Sequence, residues 1–225
     1  MNLAVIIVAA GSGKRFGSKK PKQFLLLNKK PMFVWSVMAF KKIKECCQII
    51  LVVSKEKIRE MEKYKKMYGI DVVCGGKERF NSVKNGLNIV KDADFVAVHD
   101  AARPLITENI IKEILLSAEE NGGAIAAAPA KDSIKLSING KNLTKSLNRK
   151  NIWLAQTPQI FKKSMLDKAY SSKIPLTVTD DAQLVEKTGK KVSLVNSGYE
   201  NFKVTEPLDF KLAEIILKKR NTKCL

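Results

Sequence analysis

The sequence predicts an α/β protein: a doubly wound, mostly parallel sheet with a protruding antiparallel β-arm. Three observations carry this. Short β-branched and aliphatic runs alternate with amphipathic helical stretches, glycine- and charge-rich loops follow two of those runs, and the alternation lapses once, over residues 133–152. Repeated strand-helix alternation requires parallel pairing through crossovers, with ligands at the C-terminal strand ends.

Each element has its own local reason. Leu3 to Val8 is a continuous apolar run ended by Ala-Ala-Gly, the pattern of a strand buried on both faces. Residues 33–43 place Phe33, Val34, Val37, Met38 and Phe40 on one helical face behind Pro31. Residues 48–53 form a second buried strand, after which Ser54 is expected to cap a charged helix to about Met67, with Ile58, Met61 and Tyr64 inward. Residues 70–74 give a third strand, Gly75-Gly76 break it, and 79–90 return to helix. Residues 95–98 give a fourth strand running into His99-Asp100-Ala101-Ala102-Arg103-Pro104. Thr107, followed by Glu108, caps a helix through Asn121; Gly122-Gly123 stop it, and 124–128 form a small-residue strand.

From 133 to 152 the period changes. Ile134, Leu136 and Ile138 alternate with polar residues and Asn139-Gly140 signals a hairpin, so this is an antiparallel excursion: an arm pairing with a second subunit, or a local flap. Residues 155–161 read as a short strand and turn, and a helix spans about 163–170. Asp180-x-x-Gln183 looks like a capping box for a helix to Lys187, 192–195 form a strand, and 208–217 close the chain as helix. No linker or repeat divides residues 1–225, which read as one domain.

Composition narrows the function. The 225 residues suffice for one well-buried core. No run approaches the roughly 18 apolar residues of a membrane span, and no signal-peptide pattern follows Met1, so a cytoplasmic protein is expected. Cys46, Cys47, Cys74 and Cys224 lack metal-ligand spacing and read as idle thiols. A net charge of +19 raises a basic nucleic-acid-binding protein as an alternative. Against it, the lysines are dispersed and no aromatic-interleaved RNA motif occurs. The same field would draw small phosphorylated substrates.

The first loop carries the chemistry. After the opening strand comes Ala9-Ala10-Gly11-Ser12-Gly13-Lys14-Arg15-Phe16-Gly17, then Lys19, Lys20, Pro21 and Lys22, so backbone amides and cations can converge on a polyphosphate. A dinucleotide fingerprint fails at Phe16. A Walker A loop fails because Arg15 follows Lys14 where Ser or Thr is required.

The loop resembles the Gly-x-Gly-x-Arg…Pro-Lys signature of sugar-nucleotide-type nucleotidyltransferases. Further segments extend the likeness: Gly75-Gly76-Lys77-Glu78-Arg79-Phe80-Asn81-Ser82-Val83, Val98 to Pro104, Thr157-Pro158-Gln159, Thr179-Asp180-Asp181-Ala182 and Asn201-Phe202-Lys203-Val204-Thr205. In order and spacing these resemble the 2-C-methyl-D-erythritol 4-phosphate cytidylyltransferase family of the non-mevalonate isoprenoid pathway. The resemblance implies a Rossmann-like nucleotidyltransferase fold, CTP and a polyol phosphate as substrates, Mg²⁺ held through the CTP phosphates, and a homodimer formed through the arm.

By position, the resemblance makes Arg15 and Lys22 the pair that stabilises the α-phosphate. Ala9, Ala10, Gly11, Ser12 and Gly13 would cradle the triphosphate; Gly76, Arg79 and Ser82 would surround the nucleotide. Asp100 and Ala101 would face the ribose and substrate, Asp100 accepting hydroxyl hydrogen bonds or helping to hold Mg²⁺. Arg103, Ser133, Arg149, Thr157, Thr179 and Lys203 would form the phosphate-and-polyol site, with Ser133 and Arg149 completing it across the dimer. Ser133 stands where threonine is usual, and Lys77 where an acidic residue is expected. His99, the lone histidine, could be a general base or a packing group; a phosphate monoester with its second pKa of about 6 is already largely dianionic, which favours packing. Ribitol 5-phosphate cytidylyltransferase is the nearest alternative, and Ala10 and Ala101-Ala102 favour the erythritol enzyme.

Overall fold

The computed structural model describes residues 1–222 apart from Ser12, Lys14, Arg15, Ser18, Lys19 and Lys173. Its centre is β1 (Leu3–Val8), whose alternate side chains enter different cores. Leu3, Val5 and Ile7 face one side and Ile6 the other, all without solvent exposure. A strand apolar on both faces needs a helical layer on each, which is why its pattern is continuous rather than alternating.

The chain then passes through two short strands, β2 (Leu26–Leu27) and β3 (Lys30–Pro31), to α1 (Met32–Lys41) and β4 (Cys46–Val53). Next come α2 (Ile58–Tyr68), β5 (Asp71–Cys74), α3 (Arg79–Leu87), β6 (Phe95–Asp100), α4 (Glu108–Asn121) and β7 (Gly123–Pro129). The arm is β8 (Ile134–Leu136) with β9 (Lys145–Leu147). It is followed by β10 (Trp153–Lys162), α5 (Lys163–Ser171), α6 (Asp181–Glu186), β11 (Ser193–Asn196) and α7 (Pro207–Thr222). Thr107 caps α4 as expected, its hydroxyl accepting from the Ile110 amide.

Seven strands form one sheet in the order β11-β7-β10-β6-β1-β4-β5. One face is covered by α1, α2 and α4 through Phe33, Phe40, Met61, Ile111 and Ile114; the other by α3, α5 and α6 through Val83, Leu87, Leu166, Tyr170 and Val185. Each such buried side chain contributes about 1.5–3 kcal/mol relative to exposure. A third cluster packs Leu27, Met32 and Leu105 against Ala213 and Leu217 of α7, closing the region around the first loop.

Several expectations are corrected. Residues 155–161 are strand, as expected, but longer and without the turn: they belong to β10, which lies inside the sheet, antiparallel to both β6 and β7. Its pairing with β7 breaks between Ala155 and Gln159, where Pro158 has no N–H to give to a ladder. The segment reads as a short strand and turn because its strand partners are remote in sequence. Ser54 does not cap α2 through its side chain; a 3-10 turn, Lys55–Lys57, precedes the helix. The capping box at α6 is half formed: Asp180 accepts from the Gln183 amide, but the Gln183 side chain accepts from the Thr179 amide instead of returning to Asp180. The arm is a hairpin, but not one closed by a two-residue turn. Asn139 Oδ1 accepts from the amides of Lys141 and Asn142 in a wider loop, with Gly140 at φ 70°.

Candidate active site

Four parallel strands end together, and their ladders extend one step into the loops that follow. The Ala9 amide donates to Val52 O at 2.7 Å, Ala101 to Val8 O at 3.1 Å, and Gly75 to Val53 O at 2.7 Å. The ends of β1, β4, β5 and β6 therefore meet at the point where the strand order reverses, the usual position of a ligand crevice in such sheets. A cleft of ≈ 390 Å³ lies there, lined by Val8, Ala9, Ala10, Gly11, Gly13, Lys22, Gln23, Gly76, Lys77, Glu78, Arg79, Ser82, Asp100, Ala101, Ala102 and Lys203.

The loop reaches Lys22 by doubling back. Gly13 adopts φ 67°, and Phe16 N donates to Gly13 O at 2.9 Å. Pro21 (φ −58°) then leads into a 3-10 turn, Lys22–Phe24, which buries most of Lys22 against the cleft. Gln23 on that turn belongs to none of the sequence motifs, yet it fastens the loop: its Nε2 donates to Ala9 O and to Gly11 O, each at 2.7 Å. In a trans peptide the N–H opposes the C=O, so holding the Ala9 carbonyl turns the Ala10 amide away from Gln23. A glutamine directly after a Pro-Lys pair is the only signal, and it is mute because its carbonyl partners are 12 and 14 residues upstream. Arg15 and Ser12 lie outside the described residues.

Gly75 and Gly76 are required by close approach. A Cβ on Gly75 would fall 2.5 Å from Ala10 Cβ, and one on Gly76 would fall 2.3 Å from Asn81 Cβ. The Ser82 hydroxyl accepts from the Gly76 amide at 3.1 Å and donates to Glu78 O at 3.3 Å. Its first role is thus to shape the glycine turn.

The opposite wall is charged. Asp100 Oδ2 accepts from Lys203 Nζ at 2.7 Å, and Oδ1 lies 3.5 Å from Arg79 Nε. Burial alone would raise the Asp100 pKa, but Lys203 and Arg79 outweigh it and hold the carboxyl well below the usual range. Burial would likewise lower Arg79, and the carboxylates of Asp181 and Asp100 reverse this. Lys203 is put there by local structure: Val204 N donates to Ala102 O at 2.8 Å, and Asp209 Oδ2 accepts from Thr205 N and Oγ1 at 2.7 Å.

Behind this wall a buried chain of hydrogen bonds fixes the Asp100–Arg103 turn. The Arg103 carbonyl can only accept, so His99 Nε2 carries the proton and donates to it at 3.2 Å. His99 Nδ1 then accepts from the Thr157 hydroxyl at 3.2 Å, and that oxygen accepts from the Asp100 amide at 3.0 Å. Burial pushes the His99 pKa down to about 4, so the ring is neutral at pH 7 and bonded at both nitrogens. It is a packing histidine.

The remaining candidates separate into two groups. Arg103 is buried beside the cleft, its Nη1 donating to Asn201 O at 2.7 Å, and Thr157 is buried with its hydroxyl engaged as above. Thr179 is exposed on the loop before α6. Ser133 and Arg149 sit on the exposed arm and do not line this chain's cleft; Arg149 Nη1 donates to Lys131 O instead. Among the described residues no three His, Cys, Asp or Glu side chains converge as a metal centre. Burial, then the neighbouring Cys47, push the Cys46 thiol up to about 12, in keeping with an inert thiol.

A cleft at the switch point of a doubly wound sheet, with a glycine loop on one side and cations on both, defines a nucleotidyltransferase. The family model for 2-C-methyl-D-erythritol 4-phosphate cytidylyltransferase matches residues 3–219. A relative of that name from Endomicrobium trichonymphae is 50% identical over 220 residues, spanning 97% of this chain and 100% of its own. Another, from Alkaliphilus oremlandii, is 40% identical over 96% of this chain and 95% of its own. Among solved structures, the 2-C-methyl-D-erythritol 4-phosphate cytidylyltransferase of Thermus thermophilus superposes with a TM-score of 0.81 at 29% identity, covering 97% of this chain and 100% of that one. The chain belongs to the 2-C-methyl-D-erythritol 4-phosphate cytidylyltransferase family. No helix among the described residues is long and apolar enough to cross a membrane.

Proposed function

We propose that this chain transfers the cytidylyl group of CTP to 2-C-methyl-D-erythritol 4-phosphate, forming 4-diphosphocytidyl-2-C-methyl-D-erythritol and pyrophosphate. The observation that carries this reading is family membership over residues 3–219, joined to a cleft that gathers Lys22, Arg79, Asp100 and Lys203.

An oxygen of the substrate phosphate attacks the α-phosphorus of CTP in line with the departing pyrophosphate. The monoester is already largely dianionic at neutral pH, its second pKa being about 6, so no general base is required. This agrees with a neutral His99 bonded at both nitrogens. Catalysis then consists of alignment and of charge stabilisation at the α-phosphate. Arg15 and Lys22 take that charge, while Ala9, Ala10, Gly11, Ser12 and Gly13 cradle the triphosphate. Gly76, Arg79 and Ser82 form the nucleotide end, and Asp100 and Ala101 the ribose side. Arg103, Thr157, Thr179 and Lys203 serve the polyol phosphate, Thr157 through the turn it holds.

The donor set fits Mg²⁺ carried by the nucleotide, since such ions are bound by one or two carboxylates together with substrate phosphates and Asp100 lines the cleft. The ion would neutralise phosphate charge there. Ser133 and Arg149 complete the substrate site from the arm of a second copy. Exposed apolar side chains on and beside the arm, Leu136, Ile138, Leu143 and Leu154, support a homodimer through it. Residues 1–225 act as a single domain, and a cytoplasmic location suits its phosphorylated substrates.

The test is to incubate purified protein with CTP, Mg²⁺ and each polyol phosphate, following pyrophosphate release. Turnover with the erythritol phosphate is expected; turnover with ribitol 5-phosphate alone, or none with either, overturns the reading.

A further inference from the structure

A line of alternating charges runs from the core to the cleft. The Tyr170 hydroxyl donates to Asp181 Oδ1 at 2.5 Å, Asp181 Oδ2 lies 2.8 Å from Arg79 Nη2, and Arg79 Nε lies 3.5 Å from Asp100 Oδ1, whose other oxygen holds Lys203. Arg79, Asp100 and Lys203 line the cleft, whereas Asp181 is 0% exposed and stands behind them. The Asp181–Arg79 contact is an ion pair, not an aligned hydrogen bond.

Burying a carboxylate is costly, and an apolar side chain of similar volume would fill the same space without that cost. What the carboxylate adds is direction. Arg79 has a long, rotatable stem, and Asp181 takes its Nη2 end so that the Nε edge faces Asp100. Asp181 is itself fixed. The amides of Asp181 and Ala182 both donate to Gln159 Oε1, at 3.0 and 2.9 Å, and Gln159 is buried on β10. Burial, then the Asp181 charge, push the Tyr170 phenol up, so it remains a donor to Asp181.

We infer that Asp181, steadied by Tyr170, is a positioning residue that sets the Arg79 guanidinium against Asp100 at the nucleotide end of the cleft. This rests on the nucleotidyl-transfer reading of that cleft. Asp181 acts only through Arg79, so its loss weakens nucleotide binding more than turnover.

The experiment is a double-mutant cycle of Asp181→Asn and Arg79→Ala, read as KM for CTP, kcat and calorimetric CTP affinity. Asp181→Asn is expected to raise KM for CTP about tenfold with kcat within about threefold, and to add less than about twofold on the Arg79→Ala background. Additive losses would mean a merely structural carboxylate and overturn the inference, as would an unchanged KM. Tyr170→Phe, which removes no charge, is expected to raise KM about two- to threefold, and provides the deciding measurement if Asp181→Asn does not fold. If the unsubstituted protein releases no pyrophosphate from CTP, the functional reading falls and this inference with it. If it does and both variants match it, the inference alone falls.

Discussion

Lys203 Nζ lies 2.7 Å from Asp100 Oδ2, joining residues 103 positions apart at one wall of the cleft. The Lys203 side chain is partly exposed and Asp100 nearly buried, so the cation can meet an arriving phosphate while the carboxylate holds it in place. Lys203→Ala is expected to lower kcat/KM for the polyol phosphate by roughly ten- to a hundredfold, the scale of a lost charge-assisted hydrogen bond. Steady-state kinetics with varied polyol phosphate at saturating CTP check this.

Lys22→Ala and Arg15→Ala are each expected to cut the single-turnover rate by about two decades or more while the fold survives. Rapid-quench measurement at saturating CTP separates this from a binding defect. Unchanged rates would remove these two residues from the α-phosphate.

His99 supplies a pH dependence of stability. Its folded pKa, about 4, lies below the ordinary 6.5, so the unfolded chain binds the proton first as pH falls. The stabilisation is complete above pH 6.5 and is lost progressively toward pH 4, where the gap corresponds to roughly 3 kcal/mol. Because this is the lone histidine, urea unfolding between pH 7 and 5 should show a slope that His99→Gln flattens.

Gln23→Ala leaves the Ala9 and Gly11 carbonyls without their shared donor. The expected cost is about 1–3 kcal/mol of stability, with a rise of about tenfold in KM for CTP as the loop loosens. Thermal unfolding and CTP titration measure the two effects. A full melting temperature with unaltered KM would mean that the loop holds its shape without Gln23.

For the arm, Ile138→Asp combined with Leu143→Asp should convert a dimer into a monomer in sedimentation velocity and reduce turnover. Both side chains are exposed in the isolated chain, at 84% and 62%, so the substitutions leave the core untouched. A fully active monomer without any substitution would overturn the dimer and the shared site.

Local pattern determined much of this protein. Leu3–Val8, the α1 face behind Pro31, the Thr107 cap and Gly76 against Asn81 each follow from patterns or contacts within a few residues, so the sequence declares them directly. The ordered motifs likewise marked the cleft, and Lys22, Arg79, Asp100 and Lys203 meet there. What only the tertiary structure decided involves partners far apart in the chain. The segment around Thr157-Pro158 reads as a short strand and turn, yet β10 lies inside the sheet because β6 and β7 accept it on both sides. Gln23 carries no motif until its amide meets the Ala9 and Gly11 carbonyls, and Asp181 is one acid beside the Asp180 cap until α6 brings it to Arg79. Hydrogen bonds and ion pairs across such distances depend on how the layers stack, and periodicity along the chain carries no record of that.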